Sequence, residues 1–309
     1  MDPTEGVDAV RVLLIGVTGV LGREAAPRLL AAGHEVTGLA RNAERAAAIA
    51  RLGVEPVIAD LFDLDSMSKA LDGRAAVVNL ATRIPTGAKA AMTGGWAENN
   101  RIRTEGSRVL VEAALRTDDV RVIVQEGISF GYADGGDTEL TEDAPIVTAG
   151  PLRSAEDAHA NVARFAAAGR VGVRLRIGGL IGDEPLARTL LRTARLRGPV
   201  AFGDPSGWMT VIRPADAAAA AVAAMGAPSG VYNVGANPLR KAEFAASVAE
   251  AAGVRKGRVL PKLLAVGPLE ILARSQRVTS AKLTTTTGWR PEQPDLSASW
   301  FPGPANTSK

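Results

Sequence analysis

Seven residues near the start of the chain, GVTGVLG, place glycines at positions 16, 19 and 22. They follow a β-branched and leucine run, Val10 to Ile15. They open a segment whose Leu21, Ala25, Leu29 and Leu30 recur at helical spacing as far as Gly33. A strand, a glycine turn and a helix in that order leave few architectures open. The glycines permit a tight turn and close backbone approach, so that a pyrophosphate can rest on the free N–H groups that begin the helix. Gly16, Thr18, Gly19, Val20, Leu21 and Gly22 are therefore candidate phosphate-binding residues. A glycine turn that binds nothing is the plain alternative, and the strand before it and the helix after it argue against that.

Further apolar runs at 35–39, 54–59, 75–80, 120–124 and 171–177 alternate with helix-like segments. This alternation predicts an α/β fold, a Rossmann-type doubly wound parallel sheet. After Gly182 the rhythm changes. The expected division is a nucleotide-binding Rossmann domain over 1–182 and 211–235, with a smaller, mainly helical substrate lobe over 183–210 and 236–309. Beyond about residue 236 the chain reads as helical or irregular. Within it, PKLLAVGPLEILAR (261–274) carries an apolar stripe between prolines, which suits a helical lid or a core helix. The tail PGPANTSK is expected to be disordered.

Composition narrows the function classes. Lysine and arginine total 36 against 33 acidic residues, a net charge of +3, with no run of like charges, so neither nucleic acid nor a membrane surface is an expected partner. The chain has no cysteine, which removes disulfides, thiol nucleophiles and cysteine-based zinc sites and fits the cytoplasm. No metal site is expected. The acidic, polar start is the wrong order for a signal peptide, and no stretch of about 18 apolar residues suggests a membrane span.

The end of the second strand bears on the cofactor. An acidic residue there would accept hydrogen bonds from a ribose 2′-hydroxyl; this chain has GLARNAERA, with Arg41 in that place and Asn42 beside it. NADPH is thereby favoured over NADH, because a charge-assisted Arg–phosphate bond contributes about 1.5–3 kcal/mol. Asp60 and Leu61 after the third strand are candidates for the adenine, and Leu80, Ala81 and Thr82 after the fourth for the ribose. For these, packing at a strand end explains the residues equally well.

GVTGVLG, Arg41, ADLFD (59–63), GSRVLVEAAL (106–115), RLRIGGLIG (174–182) and GVYNVG (230–235) together resemble an extended short-chain dehydrogenase/reductase, more narrowly the NAD(P)-dependent epimerase/dehydratase group. The likeness runs to about residue 290. It implies a seven-stranded sheet, with substrate held between sheet and C-terminal lobe. It also implies a Ser/Thr after the fifth strand and a Tyr-x-x-x-Lys pair on the next helix, the tyrosine moving the substrate proton. That part fails. Glu126 and Gly127 stand in the Ser/Thr place, with Ser129 two residues on. The only tyrosines, Tyr132 and Tyr232, have Gly136 and Ala236 four residues later, and no lysine occurs between Lys89 and Lys241. The helix that should carry the pair reads LRSAEDAHANVARF. The family's Ile-His-x-x-Asp loop appears as IRPAD, with Arg213 for histidine and Asp216 kept.

General acid catalysis contributes about 10²–10⁴ in rate, or about 3–5.5 kcal/mol, whereas positioning contributes about 7–11. Reduction can therefore survive loss of the tyrosine if the substrate carries a hydroxyl beside its carbonyl. Polycyclic aromatic polyketides have that chemistry, and the triad-poor pattern resembles the atypical angucyclinone ketoreductases of antibiotic pathways. Ser129 and His159 are the weak protein candidates for a proton or hydrogen-bond donor. Against them stand a backbone-capping serine and a histidine that is packed or lies on the helix surface. Tyr132 lies near the expected cleft mouth, where a half-buried packing role is the alternative. His34 is read as ending the first helix. Gln125 and Glu126 could bond ribose or substrate hydroxyls. Met92, Trp96, Phe130, Leu180, Trp208 and Met209, with Glu126, are candidate pocket walls, a set that would suit a flat polycyclic ligand. A monomer or homodimer is expected. The rival readings are a non-catalytic NADP(H) sensor and, last, a nucleotide-sugar epimerase or dehydratase, which would need the acid/base pair that is missing.

Overall fold

The computed structural model describes residues 9–85, 92–148, 150–265 and 270–302. The run RVLLI forms β1 (Arg11–Ile15), buried on both faces: Val12 and Leu14 join one core, Leu13 and Ile15 the other. Two-sided burial is what a parallel strand covered by helices requires. The chain continues through α1 (Val20–Ala31), β2 (Glu35–Ala40), α2 (Ala43–Ala50), β3 (Glu55–Ile58), α3 (Leu64–Leu71) and β4 (Ala76–Asn79). Asn42 and Asp63 accept the backbone N–H of Arg45 and Ser66, capping α2 and α3. Next come α4 (Ala97–Arg101), a π turn at Ile102–Gly106, α5 (Ser107–Leu115), β5 (Val122–Gln125), β6 (Glu139–Leu140), α6 (Arg153–Ala167) and β7 (Val171–Ile177).

After β7 run β8 (Gly179–Leu180), α7 (Pro185–Arg195), β9 (Pro199–Phe202), β10 (Trp208–Met209), β11 (Val211–Ile212), α8 (Pro214–Ala223) and β12 (Gly230–Val234). The remaining elements are β13 (Leu239–Arg240), α9 (Lys241–Ala252), β14 (Arg258–Leu260), α10 (Glu270–Ala273), β15 (Arg277–Val278) and α11 (Ala281–Thr287).

Seven strands make one parallel sheet in the order β3-β2-β1-β4-β5-β7-β12. The order reverses between β1 and β4, which opens a crevice beyond the carboxyl ends of those strands. The register sets Ile15 beside Asn79 and Asn79 beside Gln125, so the tips of β1, β4 and β5 lie level. Ala25 and Leu29 of α1 pack with the alanines of α8 on one face; Met67, Leu110, Val162 and Phe165 cover the other. A third core, including Ile181, Leu191, Val200, Val211, Phe244, Val248 and Trp300, packs α7, α9, β9 and β11 together.

Past residue 236 the structure adds three short strands where the pattern predicts helix or irregular chain. β13 pairs with β10, β14 with β9 and β15 with β6, so each strand of two or three residues depends on a distant partner and shows no period of its own. The expected helix over 261–274 appears as a 3₁₀ turn at Lys262–Leu264 and as α10, with residues 266–269 outside the described residues. The tail from residue 303 lies outside them too. Among the described residues no helix is long and apolar enough to cross a membrane.

Candidate active site

The loop between β1 and α1 is shaped by its glycines. Gly16 has φ +89°, and a Cβ there would lie 2.8 Å from the backbone of Leu80 and Ala81. A Cβ on Gly22 would stand 2.1 Å from the carbonyl oxygen of Gly16, a contact with backbone that cannot yield. Gly19 donates its N–H to that same oxygen at 2.9 Å and becomes the N-cap of α1. It offers no side-chain cap, and the first turn of α1 holds no acidic residue. The N–H groups of that turn and the positive end of the helix dipole are thus left for an anion, and the loop fits a dinucleotide pyrophosphate. Val20 is exposed, while Thr18 and Leu21 are half-buried.

Arg41 follows β2 directly and is exposed. Among the described residues its guanidinium has no hydrogen bond or ion pair, whereas Asn42 is occupied with capping α2. The Asp60 carboxylate accepts the N–H of Phe62 at 2.9 Å, and the Asp60 backbone N–H donates to the Ser66 hydroxyl oxygen at 3.0 Å. The Leu61 side chain packs on Gly106, whose missing Cβ would come within 2.8 Å of it. At the tip of β4, Leu80 is buried, Ala81 half-buried and Thr82 exposed. Gln125, a candidate ligand group, instead uses its Oε1 to accept Asn79 Nδ2 at 2.8 Å and its Nε2 to reach the Glu126 carbonyl.

The end of the cleft that should carry the proton chemistry is filled by side chains bonded to one another. Glu126 is buried in a two-pronged ion pair with Arg103, Nε–Oε1 2.9 Å and Nη2–Oε2 2.7 Å. Tyr132 is fully buried rather than half-buried at the cleft mouth. Its hydroxyl donates to Asn233 Oδ1 at 2.6 Å and accepts from Arg176 Nη1 at 3.0 Å. Burial raises its pKa, and the Arg176 charge opposes that. The other tyrosine hydroxyl, on Tyr232, donates to the Pro228 carbonyl.

His159 is buried on the sheet side of α6. Its Nε2 lies 2.3 Å from where a Cβ on Gly127 would be, so the imidazole occupies space that any larger residue at 127 would need. Burial, then the nearby Arg176, Arg174 and Arg103 charges, lower its pKa to about 3. It is therefore neutral at physiological pH. Ser129 is buried in a 3₁₀ turn, its carbonyl accepting the N–H of Tyr132. His34 sits just past α1, and its Nδ1 accepts the N–H of Val10. Asp216 is buried in the first turn of α8, where it accepts the N–H of Glu292.

The candidate wall residues differ in position. Phe130 lies against Gly179, next to Leu180 on β8. Met92 is exposed and Trp96 half-buried ahead of α4. Met209 packs against the third core. The Trp208 ring has the Arg240 and Arg277 guanidinium groups over it at 3.8 and 4.8 Å, and its Nε1 donates to Asp137. Two charged residues escaped the sequence reading. Lys241, 2% exposed, gives its ammonium group to the carbonyls of Phe202, Leu272 and Arg274, and burial lowers its pKa to about 8. Arg103 shares helical spacing with Ser107, Leu110 and Ala114 on an inward face, and a charge on such a face signals a buried partner.

A family profile described as NAD(P)H-binding matches residues 16–164, from the glycine loop to α6. A 3-diazoavenalumate denitrifying reductase of a Streptomyces species is 31% identical over 95% of this chain and 99% of its own. Among solved structures, the NAD complex of a UDP-glucose 4-epimerase from Thermus thermophilus superposes with TM-score 0.71 at 24% identity, covering 91% of this chain and 94% of the other. A UDP-glucuronic acid 4-epimerase from Bacillus cereus, with UDP-glucuronic acid and NAD, gives 0.73 at 16% identity, covering 94% and 95%. Those two likenesses concern the fold. The NAD(P)H-binding profile, together with the glycine cradle, supports binding of NAD(P) at the β1–α1 loop.

Proposed function

The chain belongs to the same family as the Streptomyces denitrifying reductase and carries an NAD(P)H-binding region, and on that premise we propose that it is an NADPH-dependent reductase working without a protein proton donor. Bound NADPH supplies hydride. The glycine loop and the start of α1 would hold its pyrophosphate, and the free guanidinium of Arg41 its 2′-phosphate. The observation that carries the reading is that the Tyr132 hydroxyl and the Glu126 carboxylate at the chemical end are already engaged, while His159, with no hydrogen bond to either ring nitrogen, is buried and uncharged. Tyr132 is tied to Asn233 and Arg176, Glu126 is paired with Arg103, and His159 is buried and neutral.

A carbonyl reduced to an alcohol needs one proton besides hydride. A polycyclic aromatic ketone or quinone with an adjacent hydroxyl brings that proton itself, and such a polyketide, angucyclinone-like, is the proposed substrate class. The Streptomyces relative favours a second reading, since it is named for reductive loss of nitrogen from a diazo compound. Exchange of an aryl diazonium group for hydrogen breaks the C–N bond, forms C–H with the hydride pair and releases dinitrogen. It takes up no proton, so it meets the same limitation of the site.

Mixing the protein and NADPH with hydroxylated ketones and quinones, their O-methyl ethers, and aryl diazonium acids, while following the nicotinamide absorbance, separates these readings. Oxidation with the free hydroxyl compounds and little with the ethers supports the ketoreductase. Oxidation with release of nitrogen gas supports the diazo reading. Tight NADPH binding with no oxidation by any compound overturns both in favour of a sensor. Conversion of a nucleotide sugar to its epimer in the presence of NAD(P)+, followed by product analysis because the cofactor undergoes no net change, tests the epimerase reading.

A further inference from the structure

Four polar side chains are buried end to end along the carboxyl edge of the sheet, and they reach from the chemical end of the cleft to the glycine loop. Arg103, in the π turn before α5, grips the Glu126 carboxylate with two bonds, and both residues are almost wholly buried. Glu126 donates its N–H to the Asn79 carbonyl at 3.0 Å, while its own carbonyl accepts Gln125 Nε2 at 3.1 Å. Gln125 Oε1 accepts Asn79 Nδ2 at 2.8 Å, and Asn79 Oδ1 accepts the N–H of Ala81 at 3.2 Å. The Leu80–Ala81 backbone lies against Gly16 so tightly that no Cβ fits between them. The Arg103–Glu126 and Asn79–Gln125 links join residues 23 and 46 positions apart, the other side-chain links are local, and each of the four residues is 3% exposed or less.

The geometry points to Arg103 as a positioning residue for the nicotinamide half of the dinucleotide. It acts through Glu126 and the Gln125–Asn79 amide pair on the Leu80–Ala81 ledge that abuts the glycine loop. This rests on the cofactor reading above. The physical reason is the two-pronged geometry. A guanidinium bonded by both arms fixes the Glu126 carboxylate in position and direction, and Glu126 lies next in the chain to Gln125. With the chain of bonds intact the ledge is held in place before ligand arrives, so binding does not bear the cost of ordering it. Arg41 and the adenosine side lie at β2 and β3, outside this chain, and would not respond.

The test compares two ligands on the full-length protein: NADPH, and adenosine 2′,5′-bisphosphate, which lacks the nicotinamide half. Arg103→Met alone leaves a buried carboxylate unpaired and risks unfolding, so the informative variant is Arg103→Met/Glu126→Gln, which removes both charges together. It is expected to melt cooperatively, to bind the bisphosphate within about twofold of the unaltered chain, and to bind NADPH roughly tenfold or more weakly. Arg103→Lys, which keeps the charge and loses the fork, is the second variant. It should show the same split at several-fold, with the bisphosphate again unchanged.

Unchanged NADPH affinity in the folded variants would make the pair an ordinary structural ion pair. Equal weakening of both ligands would mean general loosening; either result overturns the inference alone. Failure of the unaltered chain to bind either ligand overturns the cofactor reading, and the inference with it.

Discussion

The two ends of the cleft are built on opposite principles. At the glycine loop the shape comes from what is absent: Gly16 and Gly22 lack the Cβ atoms that would collide with Leu80–Ala81 and with the Gly16 carbonyl, and α1 begins without a cap. Its N–H groups are left open. At the β5–α6 end the reverse holds. Glu126 is bonded to Arg103, Tyr132 is bonded to Arg176 and Asn233, and His159 fills the space beside Gly127. One end is preorganised by vacancy to receive an anion; the other is filled by buried side chains, with the Glu126 carboxylate and the Tyr132 hydroxyl held by partners and the His159 nitrogens buried without any. A polar group becomes available for chemistry only where the fold leaves it both without a partner inside the protein and within reach of a ligand, whatever its residue type.

The largest expected effect breaks the open end. Gly22→Ala places a methyl group 2.1 Å from the Gly16 oxygen, so the loop must move; a loss of more than about 3 kcal/mol in stability is expected, or loss of NADPH binding in whatever remains folded. Thermal melting and a fluorescence titration check it, and wild-type affinity in a stable variant would show that the loop is not a tight cradle.

Acidification probes the closed end. The folded pKa of His159, about 3, lies below its ordinary 6.5, so the unfolded chain takes up the proton first. The stability contributed by the neutral imidazole is complete above about pH 6.5 and drains away as pH falls toward 3, a few kcal/mol in all. Urea midpoints measured across that range should fall less in His159→Phe than in the unaltered chain. Equal falls would mean that this imidazole is not buried as described.

Arg41→Asp should leave the fold intact and shift the NADPH/NADH affinity ratio roughly ten- to hundred-fold toward NADH, about 1.5–3 kcal/mol. An unchanged ratio in paired titrations would remove the 2′-phosphate from that residue.

Tyr132→Phe deletes a hydroxyl with two buried partners and should lower stability by about 1–3 kcal/mol while leaving kcat nearly untouched. A kcat collapse without a change in melting temperature would mean that the closed end does hold a protein acid. Ser129→Ala is the smallest expected change, within a few-fold in kcat.

Much of the first end was legible in the sequence because its determinants are consecutive. The spacing of glycines 16, 19 and 22, the strand before them and the leucine period after them specify strand, turn and helix with local information alone, and the alternation of runs gives the parallel sheet. Arg41 was readable for the same reason, since it follows β2 directly. The missing Tyr-x-x-x-Lys was equally plain, because a residue that is absent needs no coordinates. At the other end Gln125 and Glu126 were singled out by position but not by partner. Nothing at residue 126 announces Arg103, 23 positions earlier, and nothing at Tyr132 announces Asn233, 101 positions later. Lys241 gave no signal at all, because its partners are backbone carbonyls that carry no residue code.

What the sequence determined by itself is the set of properties that depend on residue spacing: a parallel α/β sheet, an uncapped helix start behind a glycine turn, and the loss of the proton-transferring pair. Only the tertiary structure decided which of the surviving polar groups are free. That is settled by contacts between residues tens of positions apart, where burial makes an unpaired group costly and each partner therefore commits the other. Arg41 is left with no partner among the described residues, while Glu126 and Tyr132 are engaged by groups that the chain places far away.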